Sequence, residues 1–267
     1  MKKYILFDHD GVLVDTEFWY YQAAERALAD IGFALDKDQY LRDMNQGSGA
    51  WAQARAAGIG EQAISRQRAV RDDYYQEYLS TEAIEIEGVV EALAELSKYV
   101  HMAIVTTAKR VDFEIIHEKR QVRQFMDFVL VREDYRLAKP HPEPYLTALK
   151  RFGATKEEAL VVEDSSRGLN SAVAAGIECA IVYNDFTKAH DFSQASYRIE
   201  TLNELKDIIL KVTGVAGFYR GKGAGRRPGY RLPRLSEGGV PADRGRAAET
   251  ACLCALYTRL GIAQTLP

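Results

Sequence analysis

From Lys3 to Tyr183, short β-branched apolar runs alternate with longer stretches of helical period, and few folds accept that order. The runs are YILF at 4 to 7, HMAIVT at 101 to 106, FMDFVLV at 125 to 131, ALVVE at 159 to 163 and CAIVY at 179 to 183. Nearly continuous apolar strands of this kind are buried on both faces, as in a parallel sheet. The helical stretches between them, at 88 to 98, 111 to 120, 142 to 151 and 166 to 175, would each return the chain to the same edge. Thr155 with Glu158 predicts a capping box for a further brief helix before ALVVE. The expected fold is therefore α/β, a doubly wound, Rossmann-like parallel sheet.

One stretch breaks the alternation. From Thr16 to about Leu79 the pattern is helical throughout, with Phe18, Trp19, Tyr20 and Tyr21 at its start and Tyr74, Tyr75 and Tyr78 near its end. It reads as an inserted α-helical cap over 16 to 81, leaving 1 to 15 and 82 to 212 as the α/β core. Asp15-Thr16 and Thr81 to Gly88 are the expected hinges. Most of the aromatics are expected to form the cap's own core.

In a doubly wound sheet, ligands sit beyond the carboxyl ends of the strands. Asp8 and Asp10 follow the first run, Thr106 and Thr107 the second, and Glu163 and Asp164 the fourth. Strand alternation points Asp8 and Asp10 to one side, and Gly11 lets the backbone turn tightly after them. Scattered surface polarity would have no reason to collect on one rim, so the joint placement favours a site.

Hydrophobic content of 47% and charged content of 27% are ordinary for a globular chain, and no apolar run is long enough to span a membrane. Met1-Lys2-Lys3 leads directly into the first run, so export is not expected and the chain reads as cytoplasmic. Cys179, Cys252 and Cys254 are too few and too irregular for a disulfide framework or a zinc site. The net charge of −3 conceals an asymmetry: residues 213 to 267 carry nine Lys/Arg against three Asp/Glu, which leaves −9 for the rest. An acidic body argues against nucleic acid as its substrate. The Gly-, Arg- and Pro-rich tail from 213 to 267 has almost no periodicity and is expected to be poorly ordered or non-native in origin.

Four segments, DHDGVLVDTE, IVTTAKR, LAKPHPEPY and VVEDSSRGLNSAVAAGI, in this order and at these intervals, resemble the four motifs of the haloacid dehalogenase-like hydrolase superfamily. The likeness covers roughly residues 3 to 212. The helical cap after the first motif is similar to the branch containing β-phosphoglucomutase and sugar-phosphate phosphatases.

The resemblance implies a division of labour. Asp8 would be the nucleophile that forms an aspartyl phosphate, splitting a difficult hydrolysis into two steps. Asp10 would protonate the leaving alcohol and later take a proton from water. A phosphate dianion will not approach a carboxylate without intervening positive charge, so Mg²⁺ is implied, held by Asp8, the backbone carbonyl of Asp10, Asp164 and, directly or through water, Glu163. Lys139, in a proline-stiffened loop, would bind phosphate and Asp8 together. The Thr106 hydroxyl and the Thr107 amide would hold phosphate oxygens. Dehalogenase-type members lack the second carboxylate, so Asp10 favours phosphoryl transfer.

There are departures from the pattern. His9 stands where an apolar residue is commoner, and facing away from Asp8 it reads as structural. Tyr20 takes the place of a cap histidine of the mutase, and Asn45-Gln46-Gly47-Ser48-Gly49-Ala50 offers no arginine where the mutase has one, while Arg71 matches a later basic cap residue. The expected function is a Mg²⁺-dependent phosphatase of small phosphorylated metabolites, with Trp19, Tyr20, Gln46 and Arg71 touching substrate. The alternatives are a sugar-phosphate isomerase of the mutase type and a non-catalytic binding protein on the same fold.

Overall fold

The computed structural model describes residues 1 to 210; the expectation for the 213 to 267 tail lies outside them. Six parallel strands form one sheet in the order β3-β2-β1-β4-β5-β6, with β1 at Tyr4–Phe7, β2 at His101–Val105, β3 at Phe128–Leu130, β4 at Ala159–Glu163, β5 at Glu178–Val182 and β6 at Tyr197–Ile199. The strand order reverses beside β1, which pairs with β2 on one side and β4 on the other. Phe7 is level with both Ile104 and Val162, so the carboxyl ends of these three strands open onto one crevice.

Period-two alternation divides the core. Ile5, Phe7, Ile104 and Val162 face the helices α5 (Val89–Leu96) and α6 (Arg110–His117), together with α9 (Leu205–Leu210). Leu6, Val105, Val161 and Ile181 face α7 (Glu143–Phe152) and α8 (Ser166–Ala175). Each of these strands is sandwiched between apolar layers, which is why it reads as an unbroken hydrophobic run.

Between β1 and β2 lie four helices, α1 (Glu17–Ala29), α2 (Lys37–Asn45), α3 (Ala52–Ala56) and α4 (Glu61–Thr81). Tyr21, Leu28, Tyr40, Trp51 and Ile64 give them a core of their own, with Tyr74 packed against it. Of the other aromatics expected there, Trp19, Tyr20, Tyr75 and Tyr78 instead pack in a second cluster with Val14, Ile84 and Ile116, so the expectation that most of them form the insert's own core needs correction: they fill the seam where the insert meets the sheet domain. The outgoing and returning chain run side by side: Asp15 N donates to Ile84 O at 2.8 Å, and Val14 bridges Glu85. Among the described residues no helix is long and apolar enough to cross a membrane.

Three more expectations need correction. The FMDFVLV run is strand only at Phe128–Leu130, because Val122–Phe125 winds into a 3₁₀ turn and Met126 N donates to Arg123 O. Thr155 N does donate to Glu158 Oε2 at 3.1 Å, but Lys156 to Glu158 make a turn and not a helix. The edge strand β6 was not expected; it is three residues long and buries only Ile199, too little to leave a period.

Candidate active site

The centre of the crevice is Lys139. Its loop, Ala138-Lys139-Pro140-His141-Pro142, carries it from β3 towards α7 and beneath the sheet's carboxyl edge, where 5% of its surface remains exposed. The ammonium donates to Asp8 Oδ1 at 2.8 Å, Glu163 Oε1 at 2.7 Å and Val105 O at 2.8 Å. All three of its protons are thereby used, and β1, β2 and β4 are tied together at their ends.

Glu163 is fully buried and fully occupied. Oε1 also accepts from Tyr145 of α7 at 2.7 Å, and Oε2 accepts from Asp164 N at 3.2 Å and the Ser165 hydroxyl at 3.1 Å. The helix α8 can approach this carboxylate only because Gly168 has no side chain; a Cβ there would overlap it. Asp164 is less well supplied, accepting from Asn184 Nδ2 at 3.3 Å. Gly11 turns with φ +75°, and a Cβ on it would run into Asp164 and Asn184.

Carboxylate oxygens of Asp8, Glu163 and Asp164 lie within 4.8 Å of one another. One ammonium cannot balance them. Burial opposes the charge of Lys139, but Asp8 and Glu163 outweigh it and raise its pKa. Burial also raises Glu163, yet Lys139, Tyr145 and Ser165 prevail and keep it below the usual carboxylate range. Asp8 is left in deficit: burial and then Glu163 push it up to about 7 despite Lys139. Burial, with Asp8 and Glu163 next, drives Asp164 well above its ordinary value. A hard divalent cation fits that surplus of negative oxygen. Asp8 and Asp164 have lone pairs to offer it, while Glu163 already spends its own on Lys139 and its neighbours.

Asp10 sits across the crevice. Its Oδ1 accepts from Thr16 at 2.5 Å, and Thr106 Oγ1 lies 3.4 Å from Oδ2. Burial pushes the carboxyl up, but His9 beside it and then the Thr16 and Thr106 hydroxyls outweigh that and hold it at about 2. Thr106 is fully buried, its hydroxyl accepting from Ala108 N at 3.0 Å, and Thr107 stands half-buried after it.

Glu17, in the first turn of α1, joins the same acidic region. Burial comes first and Asp10 second in raising it to about 7, with Asp8 and Asp15 adding and Arg167 opposing. Between the unfolded value near ~4.3 and that folded one, the native state keeps a proton that the unfolded chain releases. Stability from this group is therefore present at low pH and lost as pH rises towards 7. In metal-free protein, Glu17→Gln is expected to flatten the fall of the urea midpoint between pH 5 and 7.5; an unchanged slope would contradict the placement.

The four insert residues separate. Arg71 lies with its guanidinium carbon 4.4 Å from the Tyr20 ring centre. Its Nε donates to Asp72 Oδ1 at 2.9 Å, and Asp72 Oδ2 takes Lys109 Nζ at 2.5 Å, so α4 is joined to the start of α6. Trp19 packs on Phe18 and Tyr78 at the junction of the insert. Gln46 is exposed at the end of α2, and its neighbour Asn45 accepts from Ser166 Oγ of α8 at 3.2 Å.

Sequence reasoning missed Glu17, Tyr145 and Asn184. Asn184 follows CAIVY, and the rule applied to the other strand ends would have found it. Glu17 ends the DHDGVLVDTE segment but reads as an ordinary acidic residue in a helix's first turn. Tyr145 closes the LAKPHPEPY segment, but that segment was read for Lys139 alone, and the packing of α7 is what brings the Tyr145 hydroxyl to Glu163.

A doubly wound sheet with this carboxylate and lysine cluster at its switch point defines a hydrolase of the Asp-x-Asp class. The chain belongs to the haloacid dehalogenase-like hydrolase family, whose model matches residues 5–182. It is 30% identical over 222 residues to the pyrophosphatase PpaX of Bacillus velezensis, covering 79% of this chain and 96% of that protein. It is also 30% identical over 181 residues to a phosphorylated carbohydrates phosphatase of Thermotoga maritima, covering 65% of this chain and 82% of the relative. The fold is shared with CbbY of Rhodobacter sphaeroides, solved in complex with phosphate, at a TM-score of 0.66 and 23% identity over 77% of this chain and 96% of that one.

Proposed function

We propose that this chain is a Mg²⁺-dependent phosphatase of small phosphorylated metabolites, sugar phosphates or similar esters, working through an aspartyl phosphate on Asp8. The observation that carries the reading is the Lys139 ammonium shared by Asp8 and Glu163 beside the undersupplied Asp164. Relatives named as phosphatases support the reaction class.

Asp8 attacks phosphorus, and the bond from phosphorus to the ester oxygen breaks. Asp10 gives that oxygen a proton, then takes one from the water that hydrolyses the acyl phosphate. A bound phosphate dianion adds negative charge beside Asp10, which favours the neutral acid over its state in the free site. Lys139 holds Asp8 in line and neutralises transferring oxygens, and Thr106 and Thr107 bind them from the carboxyl end of β2. Asp8, Asp164 and the Asp10 carbonyl would hold the cation, with Glu163 supporting them through Lys139. That cation, when bound, supplies the positive charge that lets two anions meet.

Residues 16 to 81 act as a cap over a core formed by 1 to 15 and 82 to 212, moving about hinges at Asp15-Thr16 and Thr81 to Gly88. Tyr20, Arg71, Gln46 and Trp19 select substrate from it. The setting is cytoplasmic, in keeping with Cys179 as a buried free thiol.

The test is phosphate release from a panel of sugar phosphates, phosphoglycolate and pyrophosphate, with and without Mg²⁺. Release from at least one ester, abolished by chelation, is expected. Exchange of phosphate between sugar hydroxyls with little release would instead make the chain a mutase, and no turnover of any ester would make it a binding protein.

A further inference from the structure

Behind Asp10 lies a pair of groups that the hydrolytic scheme does not use. His9 is fully buried on the face of β1 turned away from Asp8, and His117, in the last turn of α6, is 7% exposed. Their Nε2 atoms are 2.8 Å apart. His9 Nδ1 faces Asp10 Oδ2 at 3.5 Å, and neither Nδ1 atom makes a hydrogen bond. Phe113 packs against both rings, 5.1 Å from His9 and 4.4 Å from His117, and burial, then His9 and the nearby Arg120 and Arg123, disfavour a charge on His117. Two leucines would satisfy this corner of the core without leaving polar atoms unpaired. Buried polar groups left without partners call for an explanation.

We infer that His117 and His9 form a buried two-imidazole chain that positions Asp10 for proton transfer at the substrate's leaving oxygen. The inference rests on the reading of Asp10 as acid and base. One Nε2 must donate and the other accept, because a hydrogen bond between them needs a single proton. With His117 donating, the His9 proton moves to Nδ1, aimed at Asp10 Oδ2. The bond made by one ring nitrogen thus decides what the other presents. Thr16 fixes the other oxygen, Oδ1, so the carboxylate is held from two directions. A small closing movement brings the 3.5 Å approach into hydrogen-bond range. His9 and His117 touch no substrate in this scheme; they act through Asp10.

Leaving groups provide the test, since a poor alkoxide leaving group needs an acid and p-nitrophenolate does not. The measured quantity is the ratio of kcat on glycerol phosphate to kcat on p-nitrophenyl phosphate. Asp10→Asn sets the scale, with a fall of about 10²-fold or more in that ratio. His117→Leu is expected to lower it about tenfold, and His117→Gln, which keeps a donor at the same reach, to restore most of it. If Asp10→Asn lowers both substrates equally, the acid and base reading itself fails. If Asp10→Asn lowers the ratio but His117→Leu lowers both substrates equally, the histidines are structural and the inference alone is overturned. A measurement on the unaltered full chain guards against a variant that does not fold: ¹⁵N shifts of labelled imidazoles should show His9 protonated at Nδ1. Protonation at Nε2 would overturn the proposal.

Discussion

Asp8→Asn is expected to abolish phosphate release, with kcat falling on the order of 10⁴-fold or more, the scale on which removal of a nucleophile is felt. The amide matches the carboxylate in shape but carries no charge with which to attack phosphorus, so no acyl phosphate forms. The same change should raise, not lower, the stability of the metal-free protein at pH 8. Burial and Glu163 push Asp8 up to about 7, so its ionised form is a burden on the native state above that pH. The sign follows from proton binding: the folded chain holds a proton between the unfolded value and 7, and its stability declines as that proton leaves. The stability gain should shrink at pH 5, where the native carboxyl is already neutral. Activity assays with thermal unfolding at pH 5 and 8 check both halves. A variant that turns over at the native rate would remove Asp8 from the chemistry, and one destabilised at pH 8 would remove the surplus of charge.

Lys139→Met is expected to cost about 3–5 kcal/mol of stability, as breaking a buried ion pair from one side does. Asp8 and Glu163 would keep their burial and lose the ammonium that stands 2.8 and 2.7 Å away. A compensating change distinguishes this cause from lost packing. If uncompensated charge is responsible, Lys139→Met with Glu163→Gln should recover a good part of the loss in a double-mutant cycle, because the second residue then no longer needs a cation. Additive losses in urea unfolding would point to side-chain volume instead. Activity should not return with stability, since Asp8 would still lack its partner.

The strand ends explain why so much of this site could be read in advance. Asp8, Thr106, Glu163 and Asp164 each close a short apolar run, and parallel register brings such closings to one edge whatever lies between them in the chain. Lys139 was legible in a different way, through its motif and the prolines around it. Its bonds to two carboxylates and to Val105 O depend on where the loop from β3 lands, which no local pattern specifies. The insert was visible as a break in alternation, but not which of its side chains face the crevice. Trp19 and Tyr20 are adjacent on α1 and equally aromatic. One packs on Tyr78 and the other under Arg71, because the helix turns by about 100° per residue.

His9 marks the boundary most clearly. Alternation on β1 placed its ring opposite Asp8, and that held. Its partner His117 lies 108 residues away on α6, at a position whose only local signal is a histidine near a helix end. Periodicity and motif order were enough to set the α/β class, the crevice at the strand reversal and the acidic residues along it, because these follow from interactions within a few residues and from the uniform spacing of a sheet. The pairing of His9 with His117, the saturation of Glu163 by Tyr145 and Ser165, and the approach of Glu17 to Asp10 were decided by the tertiary structure alone. Each depends on how two elements pack across the core, and packing is a property of the whole set of side chains and not of any one stretch of chain.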